Sequence, residues 1–181
     1  HAHPPRPESP AENSAPLLGP RDPEEHRASV KAVEEDMDRR GITGKVLIAM
    51  PPDVEPQFSY GTTDPSTRER SYTSHQYIAE AVRLRPDRFI GVACLNPLLP
   101  GAADELERLA VDQGFRGIKV HQAHYEFWAN DHRAHALYKR CEHLGLTVAF
   151  HTGYSPVPKI DRFDYTHPMG LDNVAHDFPD L

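Results

Sequence analysis

Histidine is the side chain to follow in this 181-residue sequence, which holds 12 of them. Two stand where chemistry is easily placed. His121 closes the run Gly-Ile-Lys-Val-His and His151 closes Leu-Thr-Val-Ala-Phe-His. Both runs are short, apolar and rich in β-branched residues, the pattern of buried strands. A neutral imidazole at a strand end can ligate a divalent metal, carry a proton or hydrogen-bond a substrate. For one histidine taken alone, a surface or hydrogen-bonded core role is the commoner reading. Lys119 lies two residues before His121 and shares its face of the strand. It reads as a cation for a carboxylate or as a lysine paired with an acid in a polar core. His1 and His3 project to one side of an extended backbone, a geometry that suits two ligands of one ion. On the residues alone, a tag remnant or an unordered terminus is an equal alternative.

The elements that must position these groups alternate regularly. Residues 23–40 read as a helix with Pro23 early, Glu24 and Glu25 at its N-terminus, Arg39 and Arg40 at its C-terminus and Gly41 as its stop. Val30, Val33 and Met37 form its apolar stripe. A strand over 44–50 ends at Pro51-Pro52, and residues 51–71 form a long loop with Phe58, Tyr60, Arg68 and Arg70, read as a lid or as solvated filler. A helix over 72–85, a strand over 88–97, a helix over 101–113 and a strand over 115–121 follow. The next loop carries Tyr125, Phe127 and Trp128, which form a substrate wall or seal the loop down. Asp131 caps a helix over 132–144 whose inward residues are Ala136, Leu137, Tyr138 and Cys141. A strand over 146–151 and a short helix over 171–178 complete the chain. His75, His132, His135, His143 and His176 sit in or beside helices and read as surface or packing residues.

Strand-helix alternation of this kind specifies a parallel sheet, either open and doubly wound or closed as a (β/α)₈ barrel. Neither Gly-x-Gly-x-x-Gly nor Gly-x-x-x-x-Gly-Lys occurs, which removes the best support for a nucleotide-binding open sheet. A TIM barrel needs roughly 250 residues. The sequence is therefore read as one barrel domain over 1–181, incomplete, with about the first five to six β/α units and with His1-Ala2-His3 ending a strand mostly removed. The formal charge of -7 argues against nucleic acid, and no run is long enough for a membrane span. Cys94 and Cys141 show no metal or redox spacing and read as free thiols in a reducing, cytoplasmic compartment.

Together, His1-Ala2-His3, Phe115-Arg116-Gly117-Ile118-Lys119-Val120-His121, Asn130-Asp131, Leu144-Gly145-Leu146, His151-Thr152-Gly153, and Asp172-Asn173-Val174 through Phe178-Pro179-Asp180-Leu181 resemble the amidohydrolase-related family. This is the branch of the metal-dependent amidohydrolase superfamily that includes aminocarboxymuconate-semialdehyde decarboxylase and γ-resorcylate decarboxylase. The likeness is strongest over 88–181. It implies a barrel with one divalent metal, zinc first and manganese second, at the C-terminal mouth. Carried over to this sequence, the ligands are His1, His3 and His151. An aspartate and a catalytic histidine of the family fall beyond Leu181, so the chain by itself is expected to be inactive. The implied activity is hydrolysis or non-oxidative decarboxylation of a small carboxylated, aromatic or cyclic (lactone or amide) substrate. Lys119, His121 and Trp128 are the expected substrate contacts, and a homo-oligomer is admitted. The competing expectation is a metal-free barrel serving as a ligand- or partner-binding scaffold.

Overall fold

The computed structural model describes residues 23–49, 75–153 and 162–181. Among them lie helix α1 (Pro23–Arg39), strand β1 (Lys45–Ile48), α2 (His75–Leu84), β2 (Phe89–Cys94), α3 (Ala102–Gln113), β3 (Gly117–Val120), α4 (His135–Leu144), β4 (Thr147–Phe150) and α5 (Met169–Asp177). Two short 3-10 helices, His132–Ala134 and Phe163–Thr166, precede α4 and α5. The expected strand end at His1–His3 and the expected lid over 51–71 lie outside the described residues.

The four strands form one sheet in the order β1-β2-β3-β4, and every neighbouring pair is parallel. Each strand thus lies beside its sequence neighbour, with no reversal of order. A doubly wound sheet would change direction at a switch point, so the topology is that of consecutive β/α units of a barrel.

The helices cover one face. Val30, Val33 and Met37 of α1, Ile78 and Ala81 of α2, Leu106 and Leu109 of α3, and Leu137, Tyr138 and Cys141 of α4 are buried in a single core. From the sheet, Leu47, Phe89, Ala93, Ile118 and Val120 join them. The expected stripe of α4 needs one correction: Ala136 is exposed. Ala134, Leu137, Tyr138 and Cys141 follow the i, i+3, i+4, i+7 rule from the preceding 3-10 turn, which leaves position 136 on the far side. That turn is capped as expected, the Asp131 carboxylate accepting the Arg133 backbone N–H at 2.9 Å. The Tyr138 hydroxyl donates to the Ala129 carbonyl at 2.8 Å and ties α4 to the loop after β3.

The opposite face carries the site. Pairing puts Ile48, Val92, Gly117 and Thr147 in one layer, and Cys94, Lys119 and Ala149 in the next layer toward the strand ends. Paired residues of a parallel sheet point to the same side, so the layer beyond belongs to His121 and His151. Gly117 sets the spacing of β3 and β4. A Cβ there would lie 2.7 Å from the Thr147 carbonyl oxygen, closer than any side chain is tolerated.

Candidate functional site

The site is built where β3 and β4 end. The backbone N–H of His151 donates to the Val120 carbonyl at 3.1 Å, the last rung of the ladder between these strands. The same N–H is shared with Oε1 of Gln122 at 3.3 Å. One residue beyond each strand, the rings of His121 and His151 stack at 4.3 Å between centroids with 18° between their planes. His124 follows in a turn closed by its N–H to the His121 carbonyl at 3.0 Å, and its ring meets that of His121 edge-on at 5.5 Å. The loop then returns, with the Phe127 N–H on the Gln122 carbonyl at 3.1 Å. Just before that contact Glu126 holds a φ of 51°, a left-handed conformation uncommon outside glycine.

Burial sets the electrostatics. His121, Gln122 and His124 are all buried. Loss of water, then His151, His124 and Lys119 in decreasing order, pushes the His121 pKa down to about 3. His121 is therefore a neutral imidazole at physiological pH. Burial also lowers the pKa of Lys119, with Cys94 partly offsetting it. Cys94 stands opposite Lys119 in the register of β2 and β3. Among the described residues no carboxylate forms an ion pair with Lys119. Cys141, by contrast, is packed beneath α4 and its pKa is pushed up to about 12 by burial, the mark of an inert core thiol.

The structure thus brings together three of the expected site residues, Lys119, His121 and His151, on one face of two adjacent strands. Trp128 stands apart. It is half exposed, meets Tyr165 edge-on at 5.1 Å, and lines a recess of about 590 Å³ with Asn130, His132, His167, Met169 and Asn173. The walls of that recess include none of the other three. Phe127 is buried and Tyr125 packs partly against the core, so these two seal the loop. His75 plays a packing part: its Nε2 accepts the backbone N–H of Cys94 at 3.1 Å and its ring lies edge-on to Phe115. His132, His143 and His176 are exposed on the outer elements. Gln122 and His124 were missed by the sequence reasoning; a Gln immediately after a His-ended strand was the only signal for the first.

His151 suits a divalent metal by its chemistry. It is a partly buried imidazole at a parallel-strand end beside a neutral, stacked neighbour, and metal ligation requires the neutral imidazole. His1 and His3 lie outside the described residues, and among the described residues no cluster of three or more His, Cys, Asp or Glu could hold an ion. No helix among the described residues is long and apolar enough to cross a membrane.

Comparison with known proteins adds the following. The sequence model described as Amidohydrolase matches residues 1–181. An uncharacterized TIM-barrel protein from Bordetella bronchiseptica is 24% identical, with a TM-score of 0.63 over 91% of this chain and 53% of that one. A 5-carboxyvanillate decarboxylase from Novosphingobium aromaticivorans, with bound manganese and 3-methoxy-4-hydroxy-5-nitrobenzoic acid, is 22% identical, with a TM-score of 0.60 over 83% of this chain and 47% of that one. A 2,6-dihydroxybenzoate decarboxylase from Rhizobium is 21% identical, with a TM-score of 0.55 over 88% of this chain and 54% of that one. These likenesses establish the barrel fold, and the chain spans about half the length of the solved structures it matches.

Proposed function

The chain belongs to the amidohydrolase family, and we propose from that premise that the whole protein is a metal-dependent enzyme acting on a small carboxylated aromatic or cyclic compound. The reaction is hydrolysis of a lactone or amide, or non-oxidative loss of carbon dioxide. The observation that carries the reading is the layered face of β3 and β4, with Lys119 below and the stacked His121 and His151 at the strand ends. Strand ends of parallel barrels are where their loops converge on substrate.

In this reading His1, His3 and His151 hold one divalent ion, zinc or manganese, as neutral imidazoles. The ion, when bound, supplies a Lewis acid for a substrate oxygen and acidifies water. Lys119 does the binding. A partly desolvated ammonium gains from a carboxylate that enters the same layer, so the substrate acid supplies the partner the described residues lack. Binding of that acid raises the Lys119 pKa again and fixes the cation. His121, neutral and stacked, contributes shape and a hydrogen-bonding edge without adding charge. Trp128, in its recess on the loop after β3, serves as an aromatic wall for the distal part of the substrate. The fold's two free buried thiols, Cys94 and Cys141, fit a cytoplasmic protein.

The test is a mass-balance screen of the full-length, metal-loaded protein. Hydroxylated benzoates that lose carbon dioxide without consuming water assign a decarboxylase. Lactones or amides that gain one water assign a hydrolase. A full-length protein that binds no divalent metal after reconstitution refutes both and leaves the barrel as a binding scaffold.

A further inference from the structure

We propose that Gln122 and His121 act together as positioning residues that fix His151, Gln122 through its backbone and His121 through its ring. The inference rests on the reading of His151 as a metal ligand. It goes beyond it by naming what holds that ligand in place.

Gln122 has no exposed surface, and its Nε2 has no hydrogen-bond partner among the described residues. Buried N–H donors left unmet are unfavourable, and a methionine or leucine would fill the same volume without that penalty. Packing of the side chain therefore does not by itself call for a glutamine here. Its Oε1 does one visible thing: it accepts the His151 N–H at 3.3 Å, which the Val120 carbonyl already takes at 3.1 Å. The second acceptor stands at the point where the β3–β4 ladder ends and the chain would otherwise be freest to turn.

The ring is held separately. Beyond the ladder His121 lies flat against the imidazole of His151 at 4.3 Å and 18°. His121 is itself buried and flanked edge-on by His124. The turn from His121 to Phe127, closed by the Phe127 N–H on the Gln122 carbonyl at 3.1 Å, holds both positioning residues. Backbone and ring of one ligand are thus both set by the two residues that follow β3. Groups that hydrogen-bond a metal-ligating side chain typically change metal affinity by 10–100-fold when removed, which is the upper scale for partners that hold a ligand by its backbone and by ring stacking.

The experiment uses the full-length protein with zinc as the probe, its affinity measured by chelator competition and its geometry by the absorption of the cobalt-substituted form. Gln122→Met and His121→Ala are each expected to weaken zinc by up to about 10–100-fold and to alter the cobalt spectrum. The urea midpoint of Gln122→Met stays level or rises, because an unmet amide has been removed. His121→Phe, which keeps the flat neighbour, restores most of the affinity. Should Gln122→Met fail to fold, Gln122→Asn tests the same contact by drawing the oxygen back one methylene. Unchanged zinc affinity in Gln122→Met and His121→Ala, with the ion lost in His151→Ala, overturns this inference alone. Affinity that falls only in step with stability also overturns it. Zinc held normally by His151→Ala overturns the metal reading and this inference with it.

Discussion

Replacing Gly117 by alanine is the most direct probe of how the sheet presents the site. The new Cβ would stand 2.7 Å from the Thr147 carbonyl oxygen and 3.6 Å from the Thr147 Cβ. The first of these is a backbone atom on the neighbouring strand and cannot rotate away, so β3 and β4 must part by several tenths of an ångström. Overpacking of this kind costs about 1–3 kcal/mol. Against it stands a gain of about 0.4–1 kcal/mol from the stiffer unfolded chain. At the middle of both ranges the net loss is about 1.3 kcal/mol, or a fall of about 0.7 M in the urea midpoint at an m-value of about 2 kcal/mol/M. Gly91→Ala is the internal control. The three atoms nearest its Cβ would be side-chain atoms, of Ile78, Phe115 and Val82, at 3.2–3.3 Å. These can yield, so Gly91→Ala is expected to cost less than Gly117→Ala. Equilibrium urea unfolding of the full-length protein and both variants checks the ordering. Equal midpoints for Gly117→Ala and the unaltered protein, or a larger loss at Gly91, would refute the claim that Gly117 sets the β3–β4 spacing.

Three further outcomes are expected. His121 binds a proton near its usual 6.5 when unfolded but only near 3 when folded, so its contribution to stability is whole above pH 6.5 and drains away toward pH 3. In the metal-free protein the loss is about 1.4 kcal/mol per pH unit, near 2 kcal/mol by pH 5; urea titrations of His121→Phe should show a flatter pH profile, and an identical slope contradicts the assignment. Lys119→Met is expected to raise KM for a carboxylated substrate about 10–100-fold, the worth of a hydrogen-bonded charge, while leaving uncarboxylated analogues unaffected. A uniform change across both substrate classes would count against the carboxylate role. Tyr138→Phe removes the donor that the Ala129 carbonyl receives at 2.8 Å and should cost about 1–2 kcal/mol, visible as a lower thermal midpoint; an unshifted midpoint shows that this bond does not anchor the loop.

The parts of this fold legible in the sequence are those that rest on local period. Val30, Val33 and Met37 repeat at helical spacing and are buried together, and the short apolar runs ending at His121 and His151 are adjacent parallel strands. Period two also placed Lys119 beneath His121 correctly, because alternation along a strand is purely local. What was hidden depends on register between strands. Nothing in the sequence pairs Cys94 with Lys119, or sets Gly117 against Thr147; these follow from how far one strand slides along the next. Trp128 shows the converse limit. It lies only seven residues past His121, yet the loop turns it into a recess shared with the chain around His167 and Met169. Sequence proximity specified the loop but not the side to which its aromatic ring is delivered.

Gln122 carries that lesson to the site itself. It lies in the turn just past β3 and is fully buried. The structure gives it a partner that only pairing can supply, the backbone N–H of the residue after β4, 29 positions away. A neutral acceptor is required there, because a carboxylate in the same dry pocket would bring an unpaired charge and an aliphatic chain would bring no acceptor. The residue type is therefore set by the end of the neighbouring strand rather than by its own. His121 and Gln122, consecutive in sequence just past β3, meet the same histidine from ring and backbone. Two adjacent side chains can do that only because a parallel partner strand ends in step with their own.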